Sequence, residues 1–319
     1  MINKSYAAID LGSNSCRLLI CDDKGCQLYA QNYSTRLAEG LQDKGRLTVQ
    51  AFARGREAFA VIRQKLDEYK VDSQRMRAVT TAACRMAENG AEFISEIEKC
   101  SGIKLEIIDA KEEAELNLQG AAAHIKGKTK YVLVWDIGGG STEVTLAYNM
   151  ERPQIIKTIS IPYGARNASE KFGLCEYDEN KAEELRKCVK GYMNEFLSSL
   201  DLPKTEEISF VATSSTALRM AALLEKKEKY VREDEDGHII EKARVSDMVD
   251  SLYKTTVEEM AKNDCIGELR APIFIAAVVI FVEIMQKLQA DKIVASLKSA
   301  KDAIVAELIE RDKNNGKIN

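Results

Sequence analysis

Histidine is close to absent from this sequence: His124 and His238 are the two in 319 residues. A histidine-rich metal centre is thereby excluded. Cysteine is present, but not in metal-binding pairs. Cys16, Cys21, Cys26, Cys84, Cys100, Cys175, Cys188 and Cys265 include no C-x-x-C, and the nearest neighbours are five residues apart. Zinc ribbons and dithiol redox motifs need tighter spacing, so these read as free thiols in a reducing compartment. Long apolar runs are missing too. The longest, Ala271 to Val282, ends at Glu283 after twelve residues, well short of the roughly twenty that a membrane helix needs. Met1 to Tyr6 is polar and has no apolar core of a secretory signal. A soluble cytoplasmic protein with no membrane partner is the expectation. Basic charge is not in surplus: 46 Lys and Arg stand against 50 Asp and Glu, a net charge of −4. Nucleic acid is not an expected partner of a chain so balanced.

A chain of 319 residues is expected to form two domains rather than one core. Tyr6 to Asp10 is a short apolar run that ends on a carboxylate, followed by Gly12-Ser13-Asn14-Ser15. Apolar residues resume at Leu18-Leu19-Ile20, Lys24-Gly25 turns the chain, and Gln27 to Asn32 continues. Strand, tight loop, strand, turn, strand is the reading. Thr48 is placed to cap a helix with Phe52, Phe59, Ile62 and Leu66 on one face. Ala78-Val79-Thr80 and Ile107-Ile108 read as further strands, each followed by a helical pattern.

At Tyr131 the opening pattern returns. Val132 to Trp135 is apolar, Asp136 ends the strand, Gly138-Gly139-Gly140-Ser141-Thr142 forms the loop, and Val144 to Ala147 resumes. With an offset of 126 (136 minus 10), Asp10 meets Asp136, Gly12 meets Gly138 and Ser15 meets Ser141. A whole strand-loop-strand unit is repeated, so the two domains are expected to share a fold. From Lys181 onward the pattern is helical, apart from a strand at Ile208 to Ala212 and a charged hairpin turning at Asp236-Gly237. Small residues let backbone N–H groups converge on an anion, and hydroxyls add donors. An Asp at the strand end suits a divalent cation that bridges phosphate oxygens. Two matched loops of this kind therefore point to phosphate.

These loops, D-x-G-S-N-S from Asp10 and D-x-G-G-G-S-T-E from Asp136, resemble those of the actin, sugar-kinase and heat-shock ATPase superfamily. More narrowly, the chain resembles the exopolyphosphatase/pppGpp phosphohydrolase (Ppx/GppA) family in its short two-domain form. The segments Arg36-Leu37-Ala38-Glu39-Gly40-Leu41, Thr80 to Asn89, and Ile107-Ile108 followed by Glu112-Glu113-Ala114 and Gly120-Ala121 match in the family's order. The resemblance implies an α/β fold of two actin-like (ribonuclease H-like) domains with a cleft between them. Residues 1–125 would form the first, with a C-terminal helix at about 300–315 packing back on it, and 126–299 the second. It implies Glu113 as general base and Arg85 as the group that grips phosphate. Gly12, Ser13, Asn14, Ser15, Gly138, Gly139, Gly140, Ser141 and Thr142 would bind phosphate. Asp136 and Glu143 would hold Mg2+ or another divalent cation, with Asp10 as a supporting carboxylate. The implied reaction releases terminal orthophosphate from inorganic polyphosphate, and the 5′ γ-phosphate of pppGpp is the second implied substrate.

The second half departs from the family pattern. Thr213-Ser214-Ser215-Thr216 stands where relatives carry a glycine-rich stretch. Arg270-Ala271-Pro272 stands for Arg-Ala-Asp, and Lys298-Ser299-Ala300-Lys301-Asp302-Ala303 for Gly-Leu-Arg-Glu-Gly. A non-catalytic regulator that binds polyphosphate or an alarmone stays open on this ground; a kinase of the same superfamily is the other reading, and Ser214-Ser215 in place of a Gly-Gly motif argues against it. The apolar stretch Ala271 to Val282 is either a buried helix or a surface for a homodimer.

Overall fold

The protein is described here by a computed structural model over residues 4–39, 41, 45–201 and 203–315. Met1 to Asn3, and Gly40 of the Arg36–Leu41 segment, lie outside the described residues. Two compact units divide the chain: Met1–Gly120 with Ser299–Asn319, and Ala121–Lys298. The sequence reading placed the crossings after residues 125 and 299. They fall after Gly120 and Lys298, because helix Ala110–Ala121 ends there. His124, in the short turn beyond it, lies 2.8 Å from Asp236 of the second unit.

The first unit is a five-stranded sheet of β1 (Tyr6–Leu11), β2 (Ser15–Cys21), β3 (Gln27–Ser34), β4 (Met76–Thr80) and β5 (Leu105–Ile107), in the order β3-β2-β1-β4-β5. The first three strands run antiparallel, while β4 and β5 continue parallel to β1. β1 is buried along its whole length, which the alternation of its side chains explains. Ala7, Ile9 and Leu11 pack with Phe52, Phe59, Ile62, Leu66, Phe93 and Ile97 on one face. Tyr6 and Ala8 pack with Ile108, Leu116, Ala303, Ile304 and Leu308 on the other. Helices therefore cover both faces. Helix Val49–Glu68 starts where Thr48 accepts the N–H of Ala51 at 3.1 Å, a cap that satisfies an orphan donor. Helix Ala300–Asn315, which follows the whole second unit in sequence, contributes Ala303, Ile304 and Leu308 to the second face.

The second unit holds β6 (Tyr131–Ile137), β7 (Thr142–Tyr148), β8 (Gln154–Ile161), β9 (Ile208–Thr213), β10 (Ile239–Glu241) and β11 (Lys292–Ser296), in the order β10-β11-β9-β6-β7-β8. β6 to β8 are antiparallel, and β9 and β11 run parallel to β6. The charged hairpin expected at Asp236-Gly237 does not form. β10 pairs with β11, fifty residues later, because Gly237, at φ +87°, leads into a strand that bonds along that edge. Helix Ala271–Lys287 buries Ile273, Phe274, Ile275, Val278, Ile280 and Phe281, with Phe281 edge-on to the fully buried Trp135 at 5.5 Å. Its apolar surface is occupied inside its own unit and is no face for a second copy. Among the described residues, no helix is long and apolar enough to cross a membrane.

The order β3-β2-β1-β4-β5 in one unit and β8-β7-β6-β9-β11 in the other is one topology, with matching strand directions. Each unit has the α/β fold of an actin-like, ribonuclease H-like domain, β10 being an added edge strand.

Candidate active site

Each repeated loop is the turn of a β-hairpin. In the first, the Gly12 N–H donates to the Ser15 carbonyl at 3.0 Å, and in the second the Gly138 N–H donates to Ser141 at 2.9 Å. What distinguishes both from an ordinary turn is the state of their carbonyls. Ser13 accepts from the N–H of Ala38, and Asn14 from those of Thr35 and Arg36, at 2.9 to 3.2 Å. In the second loop Gly138 accepts from Ala165, Gly139 from Arg166 and Asn167, all near 3 Å, and Gly140 from the Asn167 side chain at 2.6 Å. With every carbonyl of 13–15 and 138–141 engaged inside the protein, the Gly12 and Gly138 N–H groups closing the turns and the Ser141 hydroxyl turned to Glu143, the other N–H groups and hydroxyls are what the turns offer a ligand. That is the polarity of an anion site.

The two clamps are built differently. Thr35 to Ala38 is an irregular segment held from behind by Arg54, whose guanidinium donates to the Thr35 and Arg36 carbonyls at 2.7 and 3.0 Å. Arg36 adopts φ +44° to make the turn. In the second unit the clamp is the first turn of helix Ala165–Phe172, whose orphan N–H groups point at the loop carbonyls. Gly164 makes that approach feasible: a Cβ there would stand 2.6 Å from the Gly138 oxygen and 2.7 Å from the Ser141 nitrogen. Over Gly139 and Gly140, by contrast, a Cβ would meet nothing within 4 Å. Space lies open above that part of the turn, where a ligand would need it.

In the first unit Glu113 stands in the opening turn of helix Ala110–Ala121, where Asp109 caps the Glu112 N–H at 2.8 Å. Of the adjacent acids, Glu112 is held by Arg77 at 2.6 Å. Glu113 instead lies 3.9 Å from Arg85, both side chains about one-third exposed. Arg85 also donates to the Ile108 carbonyl at 2.7 Å, which fixes the guanidinium beside the carboxylate. Burial pushes the Glu113 carboxyl above the usual carboxylate range, the charge of Asp10 adds a little, and Arg85 and the Thr81 hydroxyl pull it back. A carboxylate whose proton affinity is raised in this way is a stronger base than an ordinary glutamate.

Asp10 has a different setting from the one implied. It is 7% exposed, opposite Arg17 in the β1–β2 pairing, with an Nη1–Oδ2 distance of 3.3 Å. Burial raises its pKa, and Arg17 and Lys301 oppose that. Its carboxylate is engaged inside the unit rather than offered to a cation. Thr142, expected to touch phosphate, is fully buried and its hydroxyl donates to the Tyr163 carbonyl at 2.8 Å. It fastens the loop and its hydroxyl is not available to a ligand.

Asp136 and Glu143 are cross-strand partners in the β6–β7 pairing, so their side chains share one face a few ångströms apart. Glu143 accepts from the Ser141 and Ser160 hydroxyls at 2.7 and 3.0 Å, which orients it. Among the described residues no group of three or more His, Cys, Asp or Glu side chains converges into a cage for a metal. Mg2+ does not require one, since it is held by one or two carboxylates and completes its shell with water and phosphate oxygens. The Asp136–Glu143 pair fits that donor set.

Sequence reading missed a group of arginines in the second unit. Arg219 lies 4.2 Å over the Tyr230 ring and donates to the Cys265 carbonyl at 2.6 Å, with its Nε buried and unpartnered. Burial pushes Arg270 below its usual range, and the charge of Arg166 adds to the effect. Arg219 is lowered by burial and by Arg270 and Arg232. Like charges crowded this way favour an anion. Asn167 and Thr81 were missed as well. The capping of Gly164 by Asn167, at 2.8 Å, had a local signal in the spacing Gly-x-x-Asn before a helix. The arginines had none, because they come from three separated segments.

Each of the two actin-like units carries one such loop at the end of its first strand. The sequence pattern of the Ppx/GppA phosphatase family matches residues 24–312, and the chain belongs to that family. The Ppx/GppA protein of Aquifex aeolicus has the same fold, with a TM-score of 0.79 at 24% identity over 97% of this chain and 98% of that one. An exopolyphosphatase from Cytophaga hutchinsonii gives a TM-score of 0.74 at 21% identity, over 97% and 98%. A bifunctional 3-dehydroquinate synthase/phosphatase of Fusobacterium nucleatum is 28% identical over 317 residues, 97% of this chain and 46% of that protein. The chain thus spans about half the length of that curated relative.

Proposed function

We propose that the protein hydrolyses the terminal phosphoanhydride of inorganic polyphosphate in the cytoplasm, and the 5′ γ-phosphate of pppGpp as a second substrate. The observation that carries this reading is the pair of hairpin turns whose carbonyls at 13–15 and 138–141 are engaged, so that the remaining N–H groups and hydroxyls are what they present to an anion. Gly12, Ser13, Asn14 and Ser15, and Gly138, Gly139, Gly140 and Ser141, bind phosphate oxygens. Arg85 holds the terminal group through its fork of donors. Glu113 takes a proton from the attacking water, and its raised pKa matches it to that task. Arg166, Arg219 and Arg270 receive further phosphates of the chain. Asp136 and Glu143 hold Mg2+ or a like cation, which when bound neutralises charge on the phosphate oxygens. Asp10, paired with Arg17, acts as a supporting carboxylate behind the first turn.

Phosphate release is to be measured side by side on short polyphosphate, long polyphosphate and pppGpp, with and without Mg2+. Glu113→Gln should lower kcat by about 10³-fold, within the range of general-base catalysis, and leave substrate binding nearly unchanged. A folded protein that releases no phosphate from any of the three would sink the proposal.

A further inference from the structure

The segment Lys298 to Ala303, which departs from the family's wording, starts the helix that closes the first unit, and it meets the helix of Glu113 at two points. The Asn117 Oδ1 accepts the N–H of Ala300, the first residue of helix Ala300–Asn315, at 3.1 Å. The Asn117 Nδ2 donates to the Glu113 carbonyl at 3.0 Å. One turn on, Gly120 lies so close to Ser299 that a Cβ would stand 2.1 Å from the Ser299 oxygen. The N–H groups of a helix's first turn lack partners within the helix. Here Asn117 supplies one from another element, while Asp302 takes the Ser299 N–H at 2.9 Å.

We infer that Asn117 is a positioning residue for Glu113, acting as a cap supplied in trans to the last helix. This rests on the reading of Glu113 as the base. Its physical content is an asymmetry of anchoring. At its start, helix Ala110–Ala121 is held by Asp109, a neighbour in sequence. At its far end it is held through Asn117 and Gly120 to a helix that packs on β1 through Ala303, Ile304 and Leu308. β1 leads directly into the first loop. The base and the turn that binds phosphate in this unit are thereby referred to the same helix. The amide of Asn117 supplies the acceptor for Ala300 and the donor to Glu113 from one side chain. Displacement of a reacting group by about 1 Å costs up to about 100-fold in rate, so a modest loosening here acts on turnover.

The test is steady-state kinetics on polyphosphate for the full chain and for Asn117→Ala, Asn117→Asp and Glu113→Gln. Asn117→Ala should lower kcat about tenfold with KM within about twofold, and hydrogen exchange across 112–120 should quicken. Asn117→Asp keeps the acceptor for the Ala300 N–H, with a charge that a helix N-terminus favours, and should restore most of kcat at pH 8. Wild-type kcat in Asn117→Ala overturns the inference, as does an equal loss in both Asn117 variants. If Glu113→Gln remains active, the base assignment has failed instead. If Glu113→Gln is dead while Asn117→Ala is unimpaired, the base stands and the positioning role falls alone.

Discussion

The two hairpin turns share a topology, a closing hydrogen bond and a strand-end aspartate, yet one cross-strand partner makes them chemically different. With the offset of 126 that aligns the repeats, Arg17 of the first corresponds to Glu143 of the second. Opposite Arg17, Asp10 becomes half of an internal ion pair and is sealed in. Opposite Glu143, Asp136 becomes half of a two-carboxylate face with a hydroxyl-oriented partner. The same hairpin therefore gives an acid–base pair in one unit and a pair of acids in the other. The strands after them diverge likewise. β4 runs through Thr81 into the short helix that carries Arg85, whereas β9 enters its helix through Ser214 at φ +83°, a conformation that favours glycine.

Giving the second hairpin the charge pattern of the first is expected to have the largest effect. Glu143→Arg should abolish Mg2+ stimulation and lower kcat/KM by about 10²-fold or more, the scale of losing one electrostatic stabiliser of a developing charge. Mg2+ titrations of phosphate release check it, and unchanged stimulation would remove Glu143 from the cation site. Next in size is Gly164→Ala. Its Cβ would collide with backbone at Gly138 and Ser141, so the loop must shift at a cost of about 2 kcal/mol. Thermal melts should fall by several degrees, with KM raised more than kcat is lowered.

Arg17→Met tests the anchor. It leaves the buried Asp10 carboxylate without its partner, for a loss of about 1–2 kcal/mol at pH 7, since Arg17 itself is 44% exposed. The sign with pH follows from the direction of the Asp10 shift. A carboxyl raised in the folded state binds its proton more readily there than when unfolded, so the penalty grows as pH rises and vanishes at low pH. Denaturant midpoints of both proteins should converge on acidification. Glu113 follows the same direction in catalysis: because burial raises it, the acid limb of kcat/KM should lie above the pH of an ordinary glutamate, and Thr81→Val should move it higher still. The smallest effect is a gain. Ser214→Gly relieves the positive φ and should raise stability by about 0.5–1 kcal/mol, read as a small increase in Tm.

Much of this was legible in the chain. The repeat of Asp10-x-Gly12 and Asp136-x-Gly138 exposes the shared hairpin because strand, turn and strand are local and carry their own residue signatures. Thr48 and its apolar stripe disclose helix Val49–Glu68 for the same reason. The hairpin expected at Asp236-Gly237 went wrong because β10 bonds to β11 across a long stretch of chain, and no local pattern reports such a partner. Thr142 was misplaced because its residue type suits a phosphate loop, while the Tyr163 carbonyl that takes its hydroxyl arrives from another segment.

The order of residues is enough to single out the groups able to do chemistry: two glycine and hydroxyl turns after strand-end carboxylates, an acidic pair at 112–113, and Arg85. Those are properties of residue type and short spacing, which survive without knowledge of the fold. Packing sets which of them are available. It gave Glu112 to Arg77 and set Glu113 beside Arg85. It sealed Asp10 against Arg17, and tied the helix of Glu113 to Ala300 through Asn117. Availability depends on burial and on partners distant in sequence, and both come into being when the chain packs.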